Sequence, residues 1–386
     1  MSLGGSGTPR IGVTARFLLD MEVRVSMSPH STEISTDQTS ARPAFLITID
    51  TEGDNIWSRP REITTENSRF LPRFQTLCEK HGLRPTWLTN WEMAECPVFC
   101  EFAHDVLDRG AGEIGMHLHA WNNPPLLPLT ADDFQTLPYL THFSEPVMRQ
   151  KVRAITDRLE ETFGVKMLSH RAGRWGFNET YARILVEHGY QVDCSVSPHV
   201  RWVHGTLPGD LDYRGFPDGE YFLDLDQISQ PSPGSPLLEL PMTVLPKQYG
   251  PIGNAARSVL ARHSFGRRVS SRLLPDVEWL RPDGRTPLGS VATLKRALAD
   301  GRPYVEFMLH SSEFMPGGSP RFPTERHIEQ LCDELEQLFE TAAQTCEGLT
   351  LAEYRNRVVA RTRREAASQL EATSTDLEPA NHRRAG

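Results

Sequence analysis

The sequence has no apolar run approaching the ~18 residues that a bilayer-spanning helix requires, so no membrane span is expected. It also lacks a surplus of positive charge. Its 41 Lys and Arg stand against 50 Asp and Glu, and a formal net charge of −9 argues against a nucleic-acid surface. No Gly-rich loop follows the first apolar segment, which counts against a dinucleotide- or phosphate-binding fold. Cysteine is sparse: Cys78, Cys96, Cys100, Cys194, Cys332 and Cys346 lie scattered in core-like segments. Cys96 and Cys100 are four apart, but no second pair completes a structural zinc site. The N-terminus does not show a signal peptide's basic start, apolar core and small-residue cleavage site in order. Reduced thiols in a cytoplasmic protein are therefore the expectation. Residues 1–41 read as a flexible leader, and no internal repeat is present.

What is present is alternation. From Ala44 onward, short apolar runs exchange with helical patterns. "AFLITID", "TWLTNW", "EIGMHLH", "KMLSHRAG", "YQVDCSV", "LLELPMTV" and "YVEFMLH" each have the length and β-branched content of a buried strand. Between them, apolar residues step by three or four. Phe70, Phe74, Leu77 and Cys78 end at Gly82, and Phe99 to Leu107 at Gly110. Met148, Val152, Ile155, Leu159 and Phe163 are closed by Gly164, and Asn178 can cap a helix carrying Tyr181, Ile184 and Leu185. A last helix is predicted from Thr324 to about Ala343, burying Ile328, Cys332, Leu335, Leu338 and Phe339. Strands joined by helical crossovers imply a mostly parallel sheet: an α/β barrel-like domain over residues 42–357, with a doubly wound open sheet as the alternative. Residues 245–287 are basic and Gly/Pro-rich and read as an insertion, a solvated loop whose arginines could meet an anionic substrate. Residues 358–386 read as a flexible polar tail, charged and without apolar periodicity.

The chemistry sits where the strands run out. The first ends in Asp50, Glu52 and Asp54, and the third in His117 and His119. The fourth ends in His170 and Arg171, the fifth carries Asp193, and the last ends in His310. In a parallel α/β barrel these positions converge on one face, where active sites lie. A spacing of two puts side chains on the same side of a strand, so Asp50 with Glu52 and His117 with His119 can enter one mouth. Two imidazoles and a carboxylate suffice for a hydrolytic metal, zinc by preference, with positions open for water and substrate. Each residue alone has an ordinary explanation: a satisfied core histidine, a helix-capping Asp54, a turn-anchoring Asp193. The joint occurrence at five strand ends weighs against five independent accidents.

"LITIDTEGD", "GEIGMHLHAWNNPP", "SHRAGRWGFN", "YQVDCSVSP", "LELP" and "FMLHSSEFMPGGSP", in this order over residues 44–320, resemble the polysaccharide deacetylases, the NodB-homology carbohydrate esterases. The resemblance implies a distorted (β/α)7 barrel and metal-dependent removal of acetyl groups from an N-acetylated saccharide. It implies Asp50 as general base, Arg171 as the residue that orients and charges it, His310 as general acid and His117 as a metal ligand. The usual metal Asp after the base is Thr51 here, which leaves Glu52, with Asp54 behind it, as the substitute ligand. The usual second histidine, four residues after the first, is Trp121, which leaves His119. Pro and Tyr after the arginine are replaced by Gly173 and Arg174, so the oxyanion donor is expected as a backbone N–H near Arg174. Trp175 or Trp121 could stack on a sugar ring. Two other functions stay open: a non-catalytic carbohydrate-binding or assembly protein, and a hydrolase of non-sugar amides or cyclic imides. Whether the saccharide is a polymer, a short oligosaccharide or nucleotide-linked is open as well.

Overall fold

The computed structural model describes residues 42–375 except 57–61, 137–138, 203–210, 248, 251–252, 254–258, 261–275, 285 and 287. The expected leader, 1–41, lies outside the described residues, as does much of the 245–287 insertion.

Seven strands line the centre: β1 (Ala44–Thr51), β2 (Pro85–Thr89), β3 (Glu113–Leu118), β4 (Ser169–Ala172), β5 (Val192–Asp193), β6 (Leu238–Glu239) and β7 (Tyr304–His310). They pair in the order β7-β1-β2-β3-β4-β5-β6, and every pair is parallel. That is chain order read round a circle, the order of a (β/α)7 barrel. A doubly wound sheet would reverse direction part-way, and this one does not. The ladder is open between β6 and β7, and the residues after β6 bridge the gap. Thr243 Oγ1 accepts the Glu306 N–H at 2.8 Å, and Tyr304 Oη donates to Pro241 O at 2.7 Å. The barrel is thus distorted rather than evenly closed.

The helices packing outside follow from their sequences. They are α1 (Leu71–Lys80), α2 (Pro97–Asp108), α3 (Glu145–Phe163), α4 (Glu179–Glu187), α5 (Gly289–Ala299), α6 (Glu325–Thr345) and α7 (Leu351–Thr375). Gly164 ends α3 at φ 69°, a left-handed cap without Cβ cost. Asn178 caps α4 by accepting the Tyr181 N–H. Phe45, Phe74, Trp87, Phe307 and Phe339 interlock between sheet and helices, with ring centroids 5.7–6.4 Å apart. Each such buried ring contributes roughly 1.5–3 kcal/mol.

Two expectations are corrected. The chain from 358 is not a loose tail as far as it is described: α7 continues to Thr375. Val358 is buried and Arg361 pairs with Glu220 at 2.9 Å, so one apolar turn and one ion pair start a helix that good helix formers then extend. Nor is the insertion only a solvated loop. Its described ends, Val244–Pro246 and Val277–Trp279, pair antiparallel and set Trp279 and Arg281 beside the barrel mouth.

Candidate metal centre and its pocket

Parallel register does the first part of the assembly. Asp50 on β1 stands opposite His310 on β7, and His117 on β3 opposite Arg171 on β4. Glu52 follows β1, with its backbone clamped: Ser311 Oγ accepts its N–H at 3.0 Å, and Ser311 Oγ and Asn67 Nδ2 both donate to its carbonyl. Side chains alternate along this segment, so Asp50 and Glu52 enter the mouth while Thr51 Oγ1 turns back to Ile49 O.

Glu52, His117 and His119, all buried, then form a compact donor set whose three ligand atoms lie within 4.8 Å of one another. His119 Nε2 is 2.8 Å from Glu52 Oε2, His117 Nε2 is 3.6 Å from that oxygen, and the two Nε2 atoms are 3.1 Å apart. Tetrahedral ligands at 2.0–2.1 Å from a zinc-sized ion would stand about 3.3 Å apart. His117 Nδ1 donates to Arg171 O at 2.9 Å, which fixes its tautomer and aims the Nε2 lone pair at the cluster. The donors fit a divalent metal in both chemistry and spacing.

Electrostatics favours the same ionisation pattern. Burial alone would raise the Asp50 pKa, but Arg171, His117 and His310 together hold it below its usual value. Burial likewise opposes the charge on Glu52, yet hydrogen bonds from His117 and His119 keep it well below the carboxylate range. Burial pushes His119 down to about 4, so it is neutral near pH 7 and free to ligate. For His117, burial is outweighed by Asp50 and Glu52, and its pKa rises.

Arg171 is fully buried beneath the cluster. Its Nη1 donates to Asp50 Oδ1 at 2.6 Å, its Nη2 to Thr48 Oγ1 at 2.7 Å and to Glu306, and its Nε to the carbonyl of Cys194. Asp50 Oδ2 is left facing His117 Nε2 at 3.9 Å and His310 Nε2 at 3.8 Å. His310 is oriented from behind by Glu313, whose Oε2 accepts the His310 backbone N–H at 3.0 Å and lies 3.2 Å from its Nδ1. Burial would raise Glu313, but Arg281, His310 and Arg321 bring it down to about 2.

These groups open into a cavity of about 390 Å³, within the range of small-molecule sites. One wall is aromatic. Trp175 stacks on Trp202 with centroids 6.0 Å apart and planes 6° apart, and Trp279 leans on both at 5.6 and 6.0 Å. Arg174, Arg281 and Arg321 also line the cavity. Arg174 and Trp175 both have positive φ, at 57° and 63°, a conformation that costs a non-glycine residue on the order of 1 kcal/mol or more. Their strained turn carries Trp175 into the pocket.

Asp50, Glu52, His117, His119, Arg174, Trp175 and His310 thus meet at the pocket, with Arg171 directly under it. Three other candidates do not. Asp54 is spent on the following loop, accepting from Thr64 Oγ1 at 2.5 Å and the Asn67 N–H at 3.1 Å. Asp193 is buried below the mouth, 2.5 Å from His170 Nδ1 and accepting from Ser195 Oγ. Trp121 is absent from the lining; its ring packs against His119 at 4.3 Å and under the Arg174 guanidinium at 4.8 Å. Glu313 was within reach of the sequence, three residues past His310. Trp202, Trp279 and Arg321 carried no signal, because hairpins and loops outside the barrel periodicity deliver them, whereas Arg281 belongs to the stretch whose arginines the sequence offered to an anionic substrate.

No family model matches the sequence, and no curated protein matches it. Solved structures do. The Xyl-CE4 domain of a multidomain xylanase from a Trinervitermes trinervoides hindgut metagenome aligns at 10% identity and TM-score 0.40, covering 82% of this chain and 91% of that one. A variant of the peptidoglycan deacetylase PdaC from Bacillus subtilis aligns at 10% and 0.39, covering 85% and 97%. A CE4-family pseudoenzyme from Bacillus anthracis aligns at 11% and 0.39, covering 81% and 66%. Likenesses at this identity and TM-score assign neither family nor activity. The fold stands on the strand order, and the site on its atoms.

Proposed function

We propose that the chain is a metal-dependent amidohydrolase that removes N-acetyl groups from a carbohydrate, with Glu52, His117 and His119 holding a divalent cation, zinc by preference. The observation that carries this reading is the joint geometry: a buried two-histidine, one-carboxylate donor set beside an Arg-paired Asp50 and, across the same mouth, His310. Held there, a cation would supply Lewis-acid activation of the acyl carbonyl and of the attacking water. Asp50, kept ionised by Arg171, accepts the water's proton on Oδ2, since Oδ1 is already taken. His310, steadied by Glu313, delivers a proton to the departing amine. A backbone N–H near Arg174 supports the oxyanion. Trp175, Trp202 and Trp279 offer an apolar face for the sugar ring. The six unpaired cysteines accord with a reducing compartment, and we place the protein in the cytoplasm.

One observation favours a non-catalytic alternative. His119 Nδ1 is buried without a hydrogen-bond partner, so this ligand lacks the outer acceptor that usually steadies a metal-bound imidazole. Metal content and acetate release measured on the same protein separate the readings. The His117→Ala variant is expected to lose both together. Undiminished, metal-free acetate release from it would overturn the deacetylase reading, while tight metal with no release from any N-acetyl sugar would favour the alternative.

A further inference from the structure

The two proposed histidine ligands are steadied differently. His117 Nδ1 donates to a backbone carbonyl, but His119 Nδ1 is buried with no hydrogen-bond partner among the described residues. Its ring is set by packing instead, against Trp121 at 4.3 Å. Whatever holds Trp121 in place therefore bears on the ligand. Because β2 pairs with both β1 and β3, the chain leaving it runs between the segments that carry Glu52 and His119. Asn90 N–H donates to Thr51 O at 3.1 Å, and the helical turn Trp91–Ala94 follows. From that turn the Glu92 carboxylate reaches both neighbours. Its Oε1 accepts the Gly53 N–H at 2.8 Å, and its Oε2 accepts from Asn122 Nδ2 at 2.6 Å.

We propose that Glu92 is a positioning residue of the metal centre, a carboxylate bridge that holds the Glu52 and His119 segments in register. This rests on the metal reading of the same site and places a residue behind it, since Glu92 does not line the pocket. The peptide unit between Glu52 and Gly53 is pinned at both of its polar ends. Its carbonyl accepts from Ser311 and Asn67, and its N–H donates to Glu92. Asn122 follows Trp121 directly, so a bond to its side chain limits how far the indole can withdraw from His119. One carboxylate accepting from two donors on different segments fixes their separation to within a hydrogen bond's tolerance. Glu52 Oε2 and His119 Nε2 face each other at 2.8 Å across the same two segments, the gap that a shared cation has to span. The bridge thus does from a distance what an acceptor on His119 Nδ1 would do directly.

The test uses the full chain, with zinc affinity from calorimetry and the visible spectrum of the cobalt-loaded protein as readouts. Neither depends on turnover, and the cobalt bands report ligand geometry, which a merely structural role would not move. Asn122→Ala cuts one arm of the bridge at a half-buried position, where loss of folding is not expected. It and Glu92→Ala should each weaken zinc binding by about tenfold and shift the cobalt bands. The double variant should bind no more weakly than Glu92→Ala, because both changes remove the same link. Glu92→Gln should restore affinity close to the parent's. Its Oε1 can accept the Gly53 N–H, and its Nε2 can donate to Asn122 Oδ1 once that amide turns over. That oxygen is buried with no hydrogen-bond partner among the described residues. Unchanged affinity and spectrum in Asn122→Ala overturn the proposal, as does a Glu92→Gln variant as weak as Glu92→Ala. If Glu92→Ala does not fold, Asn122→Ala decides alone. A parent chain that takes up neither ion overturns the metal reading and the bridge together. A parent that binds zinc no more tightly than the alanine variants overturns the bridge alone.

Discussion

Gly173 sets how closely the turn after β4 approaches a proposed ligand. A Cβ there would stand 2.3 Å from Leu118 O and 2.9 Å from His119 Nδ1, so backbone and imidazole would both have to yield. Gly173→Ala is therefore expected to displace the His119 ring and weaken divalent-metal affinity by at least about tenfold, while the rest of the barrel stays folded. Calorimetric titration of zinc into both proteins would show it; equal affinities would mean that His119 does not ligate. Glu313 acts at the same scale. It is a positioning residue, and Glu313→Gln should lower kcat by about tenfold or more, because His310 loses the carboxylate that orients it. A loss confined to KM would contradict that role.

At the scale of elements, the segment after β3 is held from beneath by α3. Lys151 is buried and its Nζ donates to the carbonyls of Ala120, Asn123 and Pro125 at 2.7–2.8 Å. The same segment carries Trp121, which braces His119. Lys151→Met keeps the apolar stem but strands buried acceptors, at a cost of about 2–4 kcal/mol. Urea unfolding should show a lower midpoint, and metal affinity should fall along with it. A variant as stable as the parent would show that the loop does not depend on this cation. The antiparallel pairing of Val244–Pro246 with Val277–Trp279 does similar work, delivering Trp279 to the pocket wall.

Across the whole molecule, the barrel interior is organised around one guanidinium serving two carboxylates. Arg171 touches both Asp50 and Glu306, and only one negative charge is balanced. Asp50, with two imidazoles nearby, keeps it. Burial, together with the Asp50 charge, pushes Glu306 up to about 7 despite Arg171. The unfolded chain releases that proton near pH 4.5, so between about 4.5 and 7 the folded state binds more protons. Stability from this group accordingly falls as pH rises through that window, by on the order of 1–3 kcal/mol. Glu306→Gln retains a partner for Thr48 and should flatten the decline. Thermal unfolding of both proteins from pH 5 to 8 would test it, and identical slopes would refute the assignment.

Much of this was legible in the sequence, for physical reasons. Apolar runs at strand length and stripes at helical spacing report burial, and burial in alternating strands and helices leaves few architectures, so the seven strands and the barrel could be read directly. A period of two on a strand is geometry in itself, which is why Asp50 with Glu52 and His117 with His119 could be placed in one mouth. Tertiary structure decided what depends on distance between elements. Asp193 faced the barrel as expected but met His170 below the mouth, and Asp54 was taken by Asn67. Trp202, Trp279, Arg281 and Arg321 came from hairpins and loops whose positions no local periodicity encodes. Local pattern determines which face a side chain takes, and only the packing of distant segments determines what stands opposite it.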